Sequence, residues 1–214
     1  MSMLGKLDQQ QMRKTAIQLG IPTDFIRKDY FVTLAIQVLI NVENDCFSLV
    51  FQGGTSLSKG YRVIKRMSED VDFRVIQKPL MRASGKEARR KKLRGFRYDL
   101  IQALKESGFV VPEKGVRVFY EGRFMSIQAE FTHSKNTTYL KPHIIIECFL
   151  GDLLLEPNKA NITTLMKETL GNECDHASFP VACVALDETA AEKWVALTRR
   201  IAGIQIKTRQ SDKH

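Results

Sequence analysis

Cysteine, histidine and tryptophan are scarce in this chain of 214 residues, at four, four and one. Cys46, Cys148, Cys174 and Cys183 are dispersed, and none forms a C-x-x-C pair, so the spacing gives neither a zinc site nor a thioredoxin-like motif. Cys46 and Cys148 lie in or beside apolar runs, which predicts buried thiols and a reducing, cytoplasmic setting. His133, His143, His176 and His214 are scattered and suggest no metal site or triad. No stretch approaches the ~20 apolar residues that span a bilayer, so no membrane association is expected. The start, MSMLGKLDQQ, lacks the apolar segment of a signal peptide. A G-x-x-x-x-G-K-[ST] phosphate loop and internal repeats are also absent.

What is present is an ordinary apolar content of 43% and an excess of nine cations over anions. A pI near 9.4 points to an anionic partner such as nucleic acid, nucleotide or a membrane surface. Apolar residues at three- and four-residue spacing predict a helix over 24–40. Leu49, Val50 and Phe51 form a short apolar run ending at Gly53 and Gly54, which reads as a buried strand and a tight turn. A helix is expected over 56–66. Val71, Phe73 and Val75 alternate with Asp72 and Arg74, the period of a two-faced strand. A basic helix is expected over 84–107, a hairpin over 116–131 and a buried strand over 143–150. A looser segment then leads to a last helix from residue 188 to about 206. The order predicts an α/β (α+β) fold: a mixed sheet flanked by helices in a core domain over 1–155, with a helical C-terminal part over 156–214.

The segment FQGGTSLSKGYRVIKRMSEDVDFRV, residues 51–75, concentrates the chemistry. Glycines let backbone approach an anion, and free N–H groups at a helix start point toward it. Thr55 and Ser56 could add hydroxyl donors, and Lys59 follows one turn later. Asp70 and Asp72 are two apart on a strand, so both carboxylates share one face. Aligned carboxylates repel unless a cation neutralises them, and Mg²⁺ favours such hard oxygen ligands. The candidate third carboxylate is Glu147, the only acid inside HIIIECFL.

A strand, a G-G turn, a helix, a D-x-D strand and a later lone acid resemble the nucleotidyltransferase superfamily. More narrowly, GGTSLSK followed by RMSEDVDF closely resembles the AbiEii/AbiGii toxin family, whose pattern is a GGT-S-L-S-K turn and an R-x-S-E-D-I-D-[FL] strand. Lys28-Asp29-Tyr30-Phe31-Val32-Thr33 is similar to its KDY-x-V-T helix, and Glu192-Lys193-Trp194-Val195-Ala196-Leu197 to its EK-x-x-A-L helix. The middle of the chain matches only at Glu147. Fifteen residues separate Gly54 from Asp70, longer than the tightest superfamily spacing but normal for this branch. The family continues to an R-H-x-Y-D-L-like helix, whereas this chain ends at Arg209-Gln210-Ser211-Asp212-Lys213-His214, as if cut inside that motif.

The resemblance implies transfer of a nucleoside monophosphate from an NTP to an acceptor, with release of pyrophosphate. It assigns Asp70, Asp72 and Glu147 to catalysis and to Mg²⁺ (or Mn²⁺), with Glu147 also helping to deprotonate the attacking hydroxyl. It assigns Gly53, Gly54, Thr55, Ser56, Lys59 and Lys193 to the nucleotide, with Arg200 on the same helical face as Lys193. Lys59 could instead sit on an exposed helix side, and Arg66 could pair with Glu69. The toxin resemblance implies a separately encoded antitoxin and an RNA acceptor, most plausibly a tRNA 3′ end. The basic helix, through Arg89, Arg90, Lys91 and Lys92, would track the acceptor's phosphates. A protein hydroxyl as acceptor, a non-catalytic nucleic-acid-binding module and a metal-dependent phosphohydrolase stay open as alternatives.

Overall fold

The computed structural model describes residues 5–42, 44–65, 67–131 and 140–211, with side chains as far as residue 203. Seven strands form one mixed sheet in the order β3-β4-β5-β2-β1-β7-β6. They are β1 (Phe47–Gln52), β2 (Asp70–Gln77), β3 (Val116–Phe119), β4 (Phe124–Glu130), β5 (His143–Leu150), β6 (Asn158–Ile162) and β7 (Phe179–Cys183). β2 is the pivot, antiparallel to β1 and parallel to β5. The helices are α1 (Gln9–Leu19), α2 (Thr23–Ile40), the single turns α3 (Gly53–Thr55) and α4 (Pro79–Arg82), α5 (Lys86–Glu106), α6 (Leu165–Leu170) and α7 (Leu186–Ser211).

Strand alternation divides the sheet into two unlike faces. Val71, Phe73 and Val75 of β2 stand in register with Ile146, Cys148 and Leu150 of β5 and are all buried. Phe51 and Leu49 of β1 pair with Phe73 and Val75 on the same face. α2 and α5 cover this face. Phe96 of α5 stacks on Phe47 with ring centroids 5.0 Å apart, and Leu93, Leu100 and Leu104 continue the buried stripe at helical spacing. The opposite face carries Asp70, Asp72 and Arg74, with Glu147 in register beside Asp72.

Two local expectations are corrected. The helix expected over 56–66 is cut short: α3 passes into one π-helical turn, Ser56–Gly60, and Arg62 adopts the left-handed φ of 56° that no continuing helix tolerates. The hydroxyls explain the break, because Ser56 and Ser58 donate to the carbonyls of Gly53 and Thr55 and so compete with regular helical bonding. The looser segment after residue 155 supplies β6, α6 and β7, which extend the sheet past β1 before α7 begins. Pro180 sits inside β7, and β6 reads NKANI, so neither carries an ordinary strand pattern.

Asp29 ties these parts together. One carboxylate oxygen takes an ion pair from Lys59 at 2.5 Å, and the other accepts the Leu165 N–H at 2.7 Å. Lys59 also donates to the Thr163 carbonyl. α2, the glycine turn and the start of α6 are therefore fixed by one nearly buried carboxylate. Removing it leaves an ammonium unpaired away from water, which destabilises strongly. We expect Asp29→Ala to lower unfolding free energy by about 3 kcal/mol, measured from urea midpoints, and Asp29→Asn to lose less. A wild-type midpoint for Asp29→Ala would remove the pair from the fold's supports.

Candidate active site

The glycine turn and the alternating carboxylates are close in sequence because they are packed together in space. Gln52, the last residue of β1, is the cross-strand neighbour of Asp72. The chain then turns at Gly53 with φ 81°, a conformation that favours glycine. A side chain here would place its Cβ 1.9 Å from the Asp72 Oδ2. Gly53 is a cradle for a carboxylate as well as a bend.

Asp72 is pushed up to about 6 by burial first and then by the negative charges of Glu147 and Asp70, with Lys193 acting in the opposite direction. Glu147 is also raised, by burial and then by Asp70. Two half-buried acids thus face each other across β2 and β5, with Asp70 exposed at the start of β2. Among the described residues, no three His, Cys, Asp or Glu side chains are drawn together as a ready cage. The donor set nevertheless fits a divalent cation: hard oxygens, mutual repulsion, and a glycine that keeps the carboxylate uncrowded.

The Lys193 charge acts on Asp72 because the start of α7 is tied to the same sheet face. Buried Arg74, two residues beyond Asp72, donates from Nε to Gln52 at 3.0 Å and from one terminal nitrogen to the Asp152 carbonyl at 3.0 Å. It forms ion pairs with Glu188 at 3.0 Å and with Glu192 at 2.5 Å. The other oxygen of Glu188 accepts the N–H groups of Leu154 and Leu155. Glu188 and Glu192 lie one helical turn apart, and Lys193 follows directly. Sequence reasoning missed this clamp. The signal was Arg74 itself, a third charged residue on the face of Asp70 and Asp72 inside an otherwise apolar strand.

Other expected site residues stand differently. Thr55 and Ser56 are buried, and their hydroxyls bond the carbonyls of Asp70 and Gly53, so neither offers its hydroxyl to phosphate. The Lys59 amine is held by Asp29 and is neither on an exposed helix side nor free for phosphate. Glu69 pairs with buried Lys28 at 3.1 Å, while Arg66 lies outside the described residues. Arg200 is exposed on α7. Arg89, Arg90, Lys91 and Lys92 belong to α5, which packs behind the sheet, so the structure does not bring them to the carboxylates.

The sequence profile of the nucleotidyl transferase AbiEii toxin, a type IV toxin–antitoxin system, matches residues 40–209. The chain belongs to this family. No curated protein sequence matches it at a significant level. Among solved structures the AbiEii chain is similar in fold to MenT4, a nucleotidyltransferase toxin from Mycobacterium tuberculosis, with a TM-score of 0.50 and 20% sequence identity. The similarity covers 88% of this chain and 58% of MenT4, so the chain spans little more than half the length of that toxin. In this AbiEii member no helix among the described residues is long and apolar enough to cross a membrane.

The raised Asp72 has a consequence for stability. Below the ordinary value of 3.8 the group is protonated in both states; as pH rises toward 6 the unfolded chain ionises first, so stability falls across that window. In chelator-treated buffer Asp72→Asn should be more stable than wild type by about 1–2 kcal/mol near neutral pH. The gap should close on acidification below the ordinary value, as followed by thermal melts. A gap that persists in acid would place the strain elsewhere.

Proposed function

We propose that this chain transfers a nucleoside monophosphate from an NTP to an RNA acceptor, releasing pyrophosphate, as the toxin of a toxin–antitoxin pair. The observation that carries the reading is the register pairing of Asp72 with Glu147 against Gly53, within the electrostatic reach of Lys193. Asp70, Asp72 and Glu147 would hold Mg²⁺ or Mn²⁺. Bound there, a divalent ion supplies charge neutralisation for the triphosphate.

The acceptor hydroxyl gives its proton to Glu147, the carboxylate in register beside Asp72 on the next strand. The hydroxyl oxygen bonds the α-phosphorus, and the bond from the α-phosphorus to the bridging oxygen breaks. Pyrophosphate leaves toward Lys193, whose charge offsets the negative charge gathered there. Gly53 and Gly54 contribute backbone rather than side chain, allowing close approach of phosphate. An RNA acceptor, including a tRNA end, fits the excess of nine positive charges. An antitoxin encoded separately would hold the activity in check.

The test uses an NTP labelled at its α-phosphate, incubated with the protein, Mg²⁺ or Mn²⁺, and total RNA. Label should enter RNA, and Asp70→Asn with Asp72→Asn should reduce incorporation by at least about a hundredfold. Lys193→Ala should raise the KM for NTP more than it lowers kcat. Mg²⁺ should raise the Tm of wild type and not of the double variant. Label found on protein would replace the RNA acceptor by a protein hydroxyl. Free phosphate without label transfer would make the chain a phosphohydrolase.

A further inference from the structure

On the sheet face that carries Glu147, the Arg74 clamp ties the first turns of α7 to β2. Further along, β5, β4 and β3 are largely open among the described residues. Register pairs Phe149 with Phe124 and Phe124 with Phe119, so three phenylalanines form a row across three neighbouring strands. The row stands two residues beyond Glu147 and its neighbour Ser126. Phe119 and Phe149 are 47% and 40% exposed, and Phe124 is half-buried. The Phe119 and Phe124 rings lie 6.0 Å apart at 42°. Apolar rings kept in water on a sheet face contribute little to folding and mark a surface for contact.

The row ends at an unusual tip. Tyr120 is 77% exposed, and Tyr120 and Glu121 take consecutive left-handed φ values of 51° and 56°. Non-glycine residues adopt that conformation at a free-energy cost, and such strain gathers at binding sites. Arg97 of α5 donates to the Gly122 carbonyl at 3.2 Å and braces the tip. Past it opens a groove of about 830 Å³, lined by Arg82, Lys86, Arg89, Arg90 and Arg123. Its carboxylates are Glu121 and Asp152, and Asp152 is already paired with Arg82. The groove is therefore positive, and the β3–β4 tip separates it from the aromatic row.

We propose that row, tip and groove form one track for the single-stranded part of the RNA acceptor. Bases stack on Phe149, Phe124 and Phe119, Tyr120 carries the strand over the tip, and the phosphates continue in the groove. The acceptor end then lies beside Glu147. Aromatics on adjacent strands of an open sheet are a sequence-tolerant base platform, and flanking arginines suit a phosphate backbone better than a protein partner. The inference rests on the transferase reading above. It also gives Arg89 and Arg90 a place with the acceptor although α5 lies behind the sheet.

The probe is a fluorescent single-stranded RNA of about twelve nucleotides, followed by anisotropy without metal or NTP. Phe119→Leu with Phe149→Leu keeps apolar bulk and removes stacking; binding should weaken about tenfold or more. The corresponding pair of Tyr substitutions should bind as wild type does. Arg89→Glu with Arg123→Glu should weaken binding and flatten its salt dependence. Wild-type affinity in both the Leu pair and the Glu pair would overturn the track, as would a wild-type chain that ignores RNA and captures a protein acceptor. Asp70→Asn with Asp72→Asn should leave RNA affinity intact. RNA held on the track without label transfer from NTP would overturn the transferase reading and not the surface. Label transfer unchanged in the Leu and Glu pairs would overturn the track alone.

Discussion

The Arg74 guanidinium is the constraint on which the site depends. A cation this buried is tolerated only if its donors are satisfied and its charge is met. The chain meets it with a glutamine from β1, a carbonyl after β5, and two glutamates from α7. The four partners come from three separate parts of the chain, so satisfying one side chain fixes how the sheet, the loop after β5 and the start of the last helix meet. Such pairs add little net stability compared with apolar packing, but they specify geometry. Here the specified geometry is where α7 starts relative to β2, which brings the Lys193 charge within electrostatic reach of Asp72.

Around that clamp the two sheet faces divide the work. The face under α2 and α5 is apolar and provides most of the burial. The other face concentrates charge: Asp70, Asp72 and Arg74 on one strand, Glu147 on the next. Burial first, and then the neighbouring negative charges, raise the proton affinities of Asp72 and Glu147 on this face. Gly53 contributes by having no side chain, and Asp29 and Lys28 contribute from behind by holding the glycine turn and Glu69.

Much of this was legible before any coordinates. Alternation alone placed Asp70 and Asp72 on one face, and Glu147 was conspicuous as a single acid in an apolar strand. The hairpin also followed from alternation, and the basic helix from its composition. What stayed hidden depends on long-range partners. Lys59 follows a glycine turn as a phosphate-binding lysine would, and only the fold shows that Asp29, thirty residues earlier, already holds it. Thr55 and Ser56 offer the right donors, but their rotamers turn inward to carbonyls. β6 reads NKANI and β7 carries Pro180, so pairing with each other and with β1 supplies what local propensity does not. α5 reads as a charged rod, and the face it packs on is decided by Leu93 and Phe96, residues that carry no signal about the site.

The placement of Asp70, Asp72 and Arg74 in alternation with Val71, Phe73 and Val75 has a consequence for assembly. A one-residue slip of β2 against its neighbours would turn every charge into the core and every apolar side chain out. No intermediate arrangement keeps the packing while scrambling the acids, or keeps the acids while loosening the packing. The chain therefore has a built-in check on quality: copies that pass the test of burial present their carboxylates correctly, and copies that fail it present none. Correct folding and correct presentation of the carboxylates are thus gated by the same register.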